Sequence, residues 1–198
     1  TQAYQQGVPI FSMIASFERE DPGLEHAVVA PEGVIAPEVA LAARERIAHH
    51  PLSRRLIDAN PIEVVHADGG IYDRVEGEQV PRQNVWMRTR TPIGDDPALH
   101  RAVLAYMSDL TIQESVLRAH GVAWSTPGLK VASLDHAMWW HRPARVDEWL
   151  LYAQESPSAR GGRGLATGRL FTREGVLVAT VAQEIMVRVP DAEAVSGG

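Results

Sequence analysis

The chain has 198 residues, 45% hydrophobic and 22% charged, with a net charge of −6 and no cysteine. That length suits one large globular domain or one and a half small ones, and the acidic balance without a basic block argues against nucleic acid or an anionic membrane as main partner. Without cysteine, disulfides, thiolate catalysis and thiolate metal sites are excluded, no apolar run nears the roughly 20 residues of a membrane span, and no signal peptide is visible.

The chain begins at Thr1, and Gly7 to Phe17 already alternates like the end of a sheet. Ile10, Ser12, Ile14 and Ser16 interleave with Phe11, Met13, Ala15 and Phe17. Residues 1–20 therefore read as strand. Residues 21–60 read as loop broken by Pro31, Gly33 and Pro37, with one helix from Pro37 to about His50 that offers Ala40, Leu41, Ile47 and Ala48 as contacts. His49-His50 is read as its solvated end. A compact pattern begins at Pro61, with strands expected over Ile62 to His66 and Asn84 to Thr89.

Asp95-Asp96-Pro97 is a helix start, an acidic cap with proline at the first helical position. Leu99, Val103, Tyr106, Leu110 and Leu117 form a stripe at helical spacing, and Gly121 supplies a stop. One helix of about 23 residues, roughly 35 Å long, is expected. Asp109 lies on the flank of its stripe, where a solvated carboxylate is the ordinary reading.

Beyond it come only strand signals: Val131 to His141, Trp149 to Glu155, Leu165 to Thr172 and Val176 to Arg188, the last two joined by Arg173-Glu174-Gly175. In the first, period two sets Ser133, Asp135, Ala137 and Trp139 on one face. Leu134, His136, Met138 and Trp140 fall on the other. His136 and His141 then point apart, so no shared metal is expected. In the last strand Leu177, Ala179, Val181, Gln183, Ile185 and Val187 make one face, apolar except for Gln183. A buried amide without partners costs about 1–3 kcal/mol; taken alone, this strand fits a core glutamine bonded to backbone. Gly7 to Ser16 also lies over Gly175 to Glu184 without gaps, which sets Ala15 over Gln183. The element order suits an α+β fold, an antiparallel sheet packed on one central helix.

Several runs together resemble the acyl-CoA thioesterase II family. They are Gln83-Asn84-Val85-Trp86-Met87-Arg88, Ala105 to Leu110 (AYMSDL), Ser133 to Pro143 (SLDHAMWWHRP), Asp147 to Tyr152 (DEWLLY), Glu155 to Gly164 (ESPSARGGRG) and Val181-Ala182-Gln183-Glu184. The resemblance implies a double-hotdog fold, each unit a long central helix wrapped by an antiparallel sheet, with the first unit incomplete. Residues 1–20 would be the closing strand or strands of that first unit, 21–60 a linker with a helix, 61–190 a complete catalytic hotdog and 191–198 a tail. A companion chain, a cleaved segment or the remainder of a longer protein is expected to supply the rest.

The same resemblance implies a catalytic set of a helix Asp, a Ser at a strand start and a Gln on the last strand, here Asp109, Ser133 and Gln183. Direct attack of an activated water on the thioester is expected, with backbone N–H groups near the helix start as an oxyanion site. Arg160, Gly161, Gly162 and Arg163 are read as a sheet turn, a subunit contact or a cradle for coenzyme A phosphate. No cofactor and no metal are expected. The implied substrate is an acyl-CoA; a cytoplasmic location and a homo-oligomer are expected. Two alternatives stay open: a hotdog enoyl-CoA hydratase, which needs an Asp–His pair and has His120 as nearest helix candidate, and a non-catalytic acyl-CoA-binding or assembly module.

Overall fold

The protein is described here by a computed structural model covering residues 1–47 and 60–189. The expected helix end at His49-His50, the contact Ala48 and the 191–198 tail lie outside the described residues.

The strands are β1 (Gln2–Gln5), β2 (Val8–Ser12), β3 (Ile62–His66), β4 (Arg82–Thr89), β5 (Lys130–Ser133), β6 (Ala137–Trp140), β7 (Leu150–Arg160), β8 (Arg163–Thr172) and β9 (Leu177–Arg188). The helices, in chain order, are α1 (Pro37–Ile47), α2 (Pro97–Asp109) and α3 (Glu114–Ala119). All strands from β3 onward form one antiparallel sheet in the order β3-β4-β7-β8-β9-β5, with β6 also paired to β9.

The two faces of this sheet bury different things. On one, Met87, Tyr152, Leu170, Val181 and Ile185 meet Leu104 and Met107 of α2, Val116 of α3, and Ile112 from the turn between them. On the other, Val65, Trp86, Leu151 and Phe171 are covered by Ala40 of α1 and by Ala30, Val34 and Leu41. Trp86 Nε1 donates to Ile35 O at 2.8 Å, which pins that cover to the sheet.

Residues 1–20 are not one strand. β1 and β2 form a separate hairpin, turning through Gln6 and Gly7, both at positive φ. Gly7 and Gly175 do share the left-handed turn conformation that the internal overlay rests on. After Gly7, however, the strand stops at Ser12, so Ala15 lies outside it. The hairpin leaves Val8, Ile10 and Phe11 more than half exposed.

The central helix begins as the sequence predicts. Asp96 Oδ1 accepts from Ala98 N at 2.9 Å and Pro97 follows. It does not run unbroken to Gly121. α2 ends at Asp109, residues 110–113 turn, and α3 resumes at Glu114. The cause is long-range. Tyr152 Oη donates to the Ser108 carbonyl at 3.0 Å, and that carbonyl would otherwise accept from the backbone N–H four residues on. Gln154 Nε2 donates to Thr111 Oγ1 at 2.6 Å inside the break. The stripe shifts too. His100, Leu104, Met107 and Ser108 are the buried residues of α2, while Leu99 and Tyr106 stay exposed.

Candidate active site

The expected strand over Val131 to His141 is two strands separated by a bulge. β5 ends at Ser133, opposite Ile185, and β6 starts at Ala137, opposite Ala182. Four steps along one side therefore face three on β9, so one residue is extra. The kink is fixed by Leu134 N donating to Glu184 O at 2.9 Å and by Glu184 N donating to Asp135 Oδ1 at 2.7 Å. Ser133 thus closes a strand where the sequence placed it at a strand start.

The extra residue reverses the phase of the pleat. Val131 and Ser133 share the face of Val187 and Ile185; past the bulge, Met138 shares the face of Val181. His136 therefore joins the face of Ser133 and Gln183, against the period-two reading. His141 lies on the other face, where its Nε2 is bonded to Thr180 Oγ1 at 2.8 Å.

Asp109, Ser133 and Gln183 meet at this point. Gln183, fully buried in mid-β9, donates from Nε2 to Asp109 Oδ1 and to Ser133 Oγ, each at 2.8 Å. Ser133 Oγ donates to Asp109 Oδ1 at 3.1 Å. The other side of the amide, Gln183 Oε1, accepts from His136 Nδ1. The amide is thus satisfied by three side chains rather than by backbone, which corrects the ordinary reading of the strand. Asp109, Ser133 and His136 are exposed, so the site opens to one side. Asp109 Oδ2 takes no hydrogen bond among the described residues.

Beneath the site, Tyr152 is completely buried, and burial together with the charge of Asp109 pushes its phenol well above the ordinary tyrosine value. It stays protonated and acts as a donor to Ser108, the residue before Asp109.

Two other expectations are placed elsewhere. Arg160, Gly161, Gly162 and Arg163 form the β7–β8 hairpin turn, with Gly161 and Gly162 both at positive φ. Ala166 is the residue opposite Gln183, so Arg163 lies three residues, roughly 10 Å, further along β8. Arg163 Nη1 meets Glu184 Oε2 at 3.4 Å. The start of α2 lies twelve residues, roughly 18 Å, from Asp109. Its N–H groups are therefore too distant to serve as the oxyanion site.

The model of the acyl-CoA thioesterase family matches residues 58–186. The chain belongs to the acyl-CoA thioesterase family. It is 37% identical to human acyl-coenzyme A thioesterase 8 over 202 residues, which takes in 95% of this chain and 62% of that protein. It is 33% identical to acyl-CoA thioesterase 2 of Haemophilus influenzae over 193 residues, 94% of this chain and 67% of the other. The crystal structure of the acyl-CoA thioesterase II TesB2 from Mycobacterium marinum superposes with a TM-score of 0.66 at 39% identity, covering 87% of this chain and 60% of that one. A protein with a hot dog fold from Alicyclobacillus acidocaldarius superposes with a TM-score of 0.53 at 17% identity over 96% of this chain and 66% of its own, which bears on the fold alone. The fold is the hotdog, as the resemblance implied, and the chain spans less than two thirds of the human relative's length. No described helix is long and apolar enough to cross a membrane.

Proposed function

We propose that this chain hydrolyses acyl-CoA to a free fatty acid and coenzyme A, with Asp109, Ser133 and Gln183 as catalytic residues. The observation that carries this reading is the mutual hydrogen bonding of a carboxylate, a hydroxyl and an amide drawn from the ends of α2 and β5 and the middle of β9. Asp109 Oδ2 receives a proton from a water that attacks the thioester carbonyl. The tetrahedral intermediate collapses with cleavage of the C–S bond, and Asp109 returns the proton to the departing thiolate. Ser133 and Gln183 hold the carboxylate in place by donating to its other oxygen, Oδ1.

The first test is thiol release from a long-chain acyl-CoA by the purified chain. Absence of turnover would favour the non-catalytic module, and loss of enoyl absorbance without thiol release would favour the hydratase. The hydratase reading finds no support at His120, which is exposed at the end of α3. His136 does enter the site, but both ring nitrogens have partners in Gln183 and Ser108.

Ser133 is bonded directly to a carboxylate, so an acyl-enzyme route has a base within reach. The two routes separate cleanly. Direct water attack predicts that Ser133→Ala keeps measurable turnover, lowered about tenfold for one lost hydrogen bond to a charged partner. Complete loss of turnover, with an acyl adduct on Ser133 seen by mass spectrometry in the parent chain, would assign the serine as nucleophile.

We also propose that Arg160 and Arg163 meet the phosphates of coenzyme A from the β7–β8 turn. Their joint replacement by alanine is expected to raise KM for acyl-CoA several-fold by removing charge-assisted contacts, with KM for the matching acyl-pantetheine unchanged. Equal effects on both substrates would remove the turn from binding. The reading keeps a cytoplasmic site of action and association with a second hotdog unit, as a homo-oligomer or through a companion chain; intact-mass and sedimentation measurements on the purified material test that association. Exposed Leu134, Trp139 and Trp140 beside β9 support it.

A further inference from the structure

Gln183 serves this site in only one orientation of its amide. Asp109 Oδ1 lies 2.8 Å from Nε2. With the amide turned over, a carbonyl oxygen would face a carboxylate oxygen at that distance with no proton between them. The charge on Asp109 therefore selects the orientation in which Nε2 serves Asp109 and Ser133, and Oε1 is turned away from both. What Oε1 faces is His136 Nδ1. Two acceptors cannot satisfy each other, so Nδ1 must carry a proton.

The far side of the ring fits this requirement. Nε2 of His136 lies 3.0 Å from Ser108 Oγ, on the helix residue that precedes Asp109. Ser108 has one hydroxyl proton and two nitrogen or oxygen acceptors in reach, His136 Nε2 and Ala105 O, the latter at 2.8 Å, with the weak acceptor Met138 Sδ further off at 3.8 Å. If the proton points to Nε2, the ring is neutral. If it points to Ala105, Nε2 must itself be protonated. In both cases Nδ1–H is the donor to Gln183.

We propose that His136 is a positioning residue that locks the Gln183 amide through an Nδ1–H···Oε1 hydrogen bond and so fixes the direction of the donors aimed at Asp109 and Ser133. The inference rests on the thioesterase reading for its effect on rate, but not for the hydrogen bond itself. His136 ties three elements together: Ser108 on α2, the bulge between β5 and β6, and Gln183 on β9. Which ring nitrogen carries the proton is set by what the other one meets.

Nitrogen-15 NMR of the histidine-labelled wild-type chain reads the ring directly. Nδ1 of His136 is expected to be protonated at neutral pH; a ring protonated on Nε2 alone would overturn the proposal. Kinetics then tests the consequence. His136→Leu should lower kcat about tenfold with KM changed less than about twofold, the size of the lost, part-buried hydrogen bond to Gln183. His136→Asn should recover most of the loss, because its amide nitrogen stands where Nδ1 stood and donates without titrating. Equal activity in both variants, whether full or lost, would overturn the positioning role. If the wild-type chain releases no thiol from any acyl-CoA, the hydrolase reading falls, and the NMR result still decides the hydrogen bond on its own.

Discussion

Asp109→Asn is expected to lower acyl-CoA hydrolysis by roughly 10²-fold or more with an unchanged melting temperature. The substitution keeps size and shape. It also keeps an oxygen able to accept from Gln183 and Ser133, at the position where Oδ1 now takes both bonds. What it removes is the ability of the second oxygen to take up a proton. Asp109 is exposed at the end of α2, so its loss leaves no buried charge unpaired and the fold has no reason to respond. Initial rates of thiol release and a thermal melt on the same preparation decide the matter. Full activity would remove Asp109 from the mechanism, and a large drop in melting temperature would recast it as a structural carboxylate.

The strands from β3 onward were legible wherever local signals set them. Asp96-Pro97 started α2, Gly175 turned β8 into β9, and the alternation from Leu177 to Val187 marked the buried face with Gln183 in it. Two features were not legible, and each depends on a distant partner. The stretch Leu110 to Gln113 contains neither glycine nor proline, so helical periodicity runs straight through it. The break comes from Tyr152 and Gln154, some forty residues later in the chain. The bulge at Leu134–Asp135 likewise has no glycine, and its geometry is fixed by the backbone of Glu184. Missing the bulge carried a cost for the site. An unbroken period of two sets His136 on the face away from Gln183, so the sequence weighs it only as a metal ligand. The signal that could have found it is Asp135, a strand-breaking residue with a side-chain acceptor directly before the histidine.

Gly168→Ala tests how far the site depends on that break in the helix. Gly168 lies in β8 beside the ring of Tyr152, and a Cβ there would overlap Cε2 and come within 3.0 Å of Cζ and 3.1 Å of Oη. In a strand interior, alanine would ordinarily stabilise by about 0.5–1 kcal/mol through reduced backbone freedom. Overpacking a closed core costs about 1–3 kcal/mol and wins here, because Tyr152 is fully buried and has no space to swing into. A net loss of about 1–2 kcal/mol is expected, read as a lower urea midpoint. The ring can yield only by drawing its hydroxyl off the Ser108 carbonyl, which releases the end of α2 that carries Asp109. Turnover per folded molecule should therefore fall as well. Gly164→Ala provides the contrast. Its Cβ would press on Val116 of α3 at 2.7 Å, beyond the break, so it should lower stability while leaving turnover per folded molecule near that of the parent. If both variants lose stability and neither loses turnover, Tyr152 supports the core alone, and the position of Asp109 does not depend on the hydrogen bond from Tyr152 to Ser108.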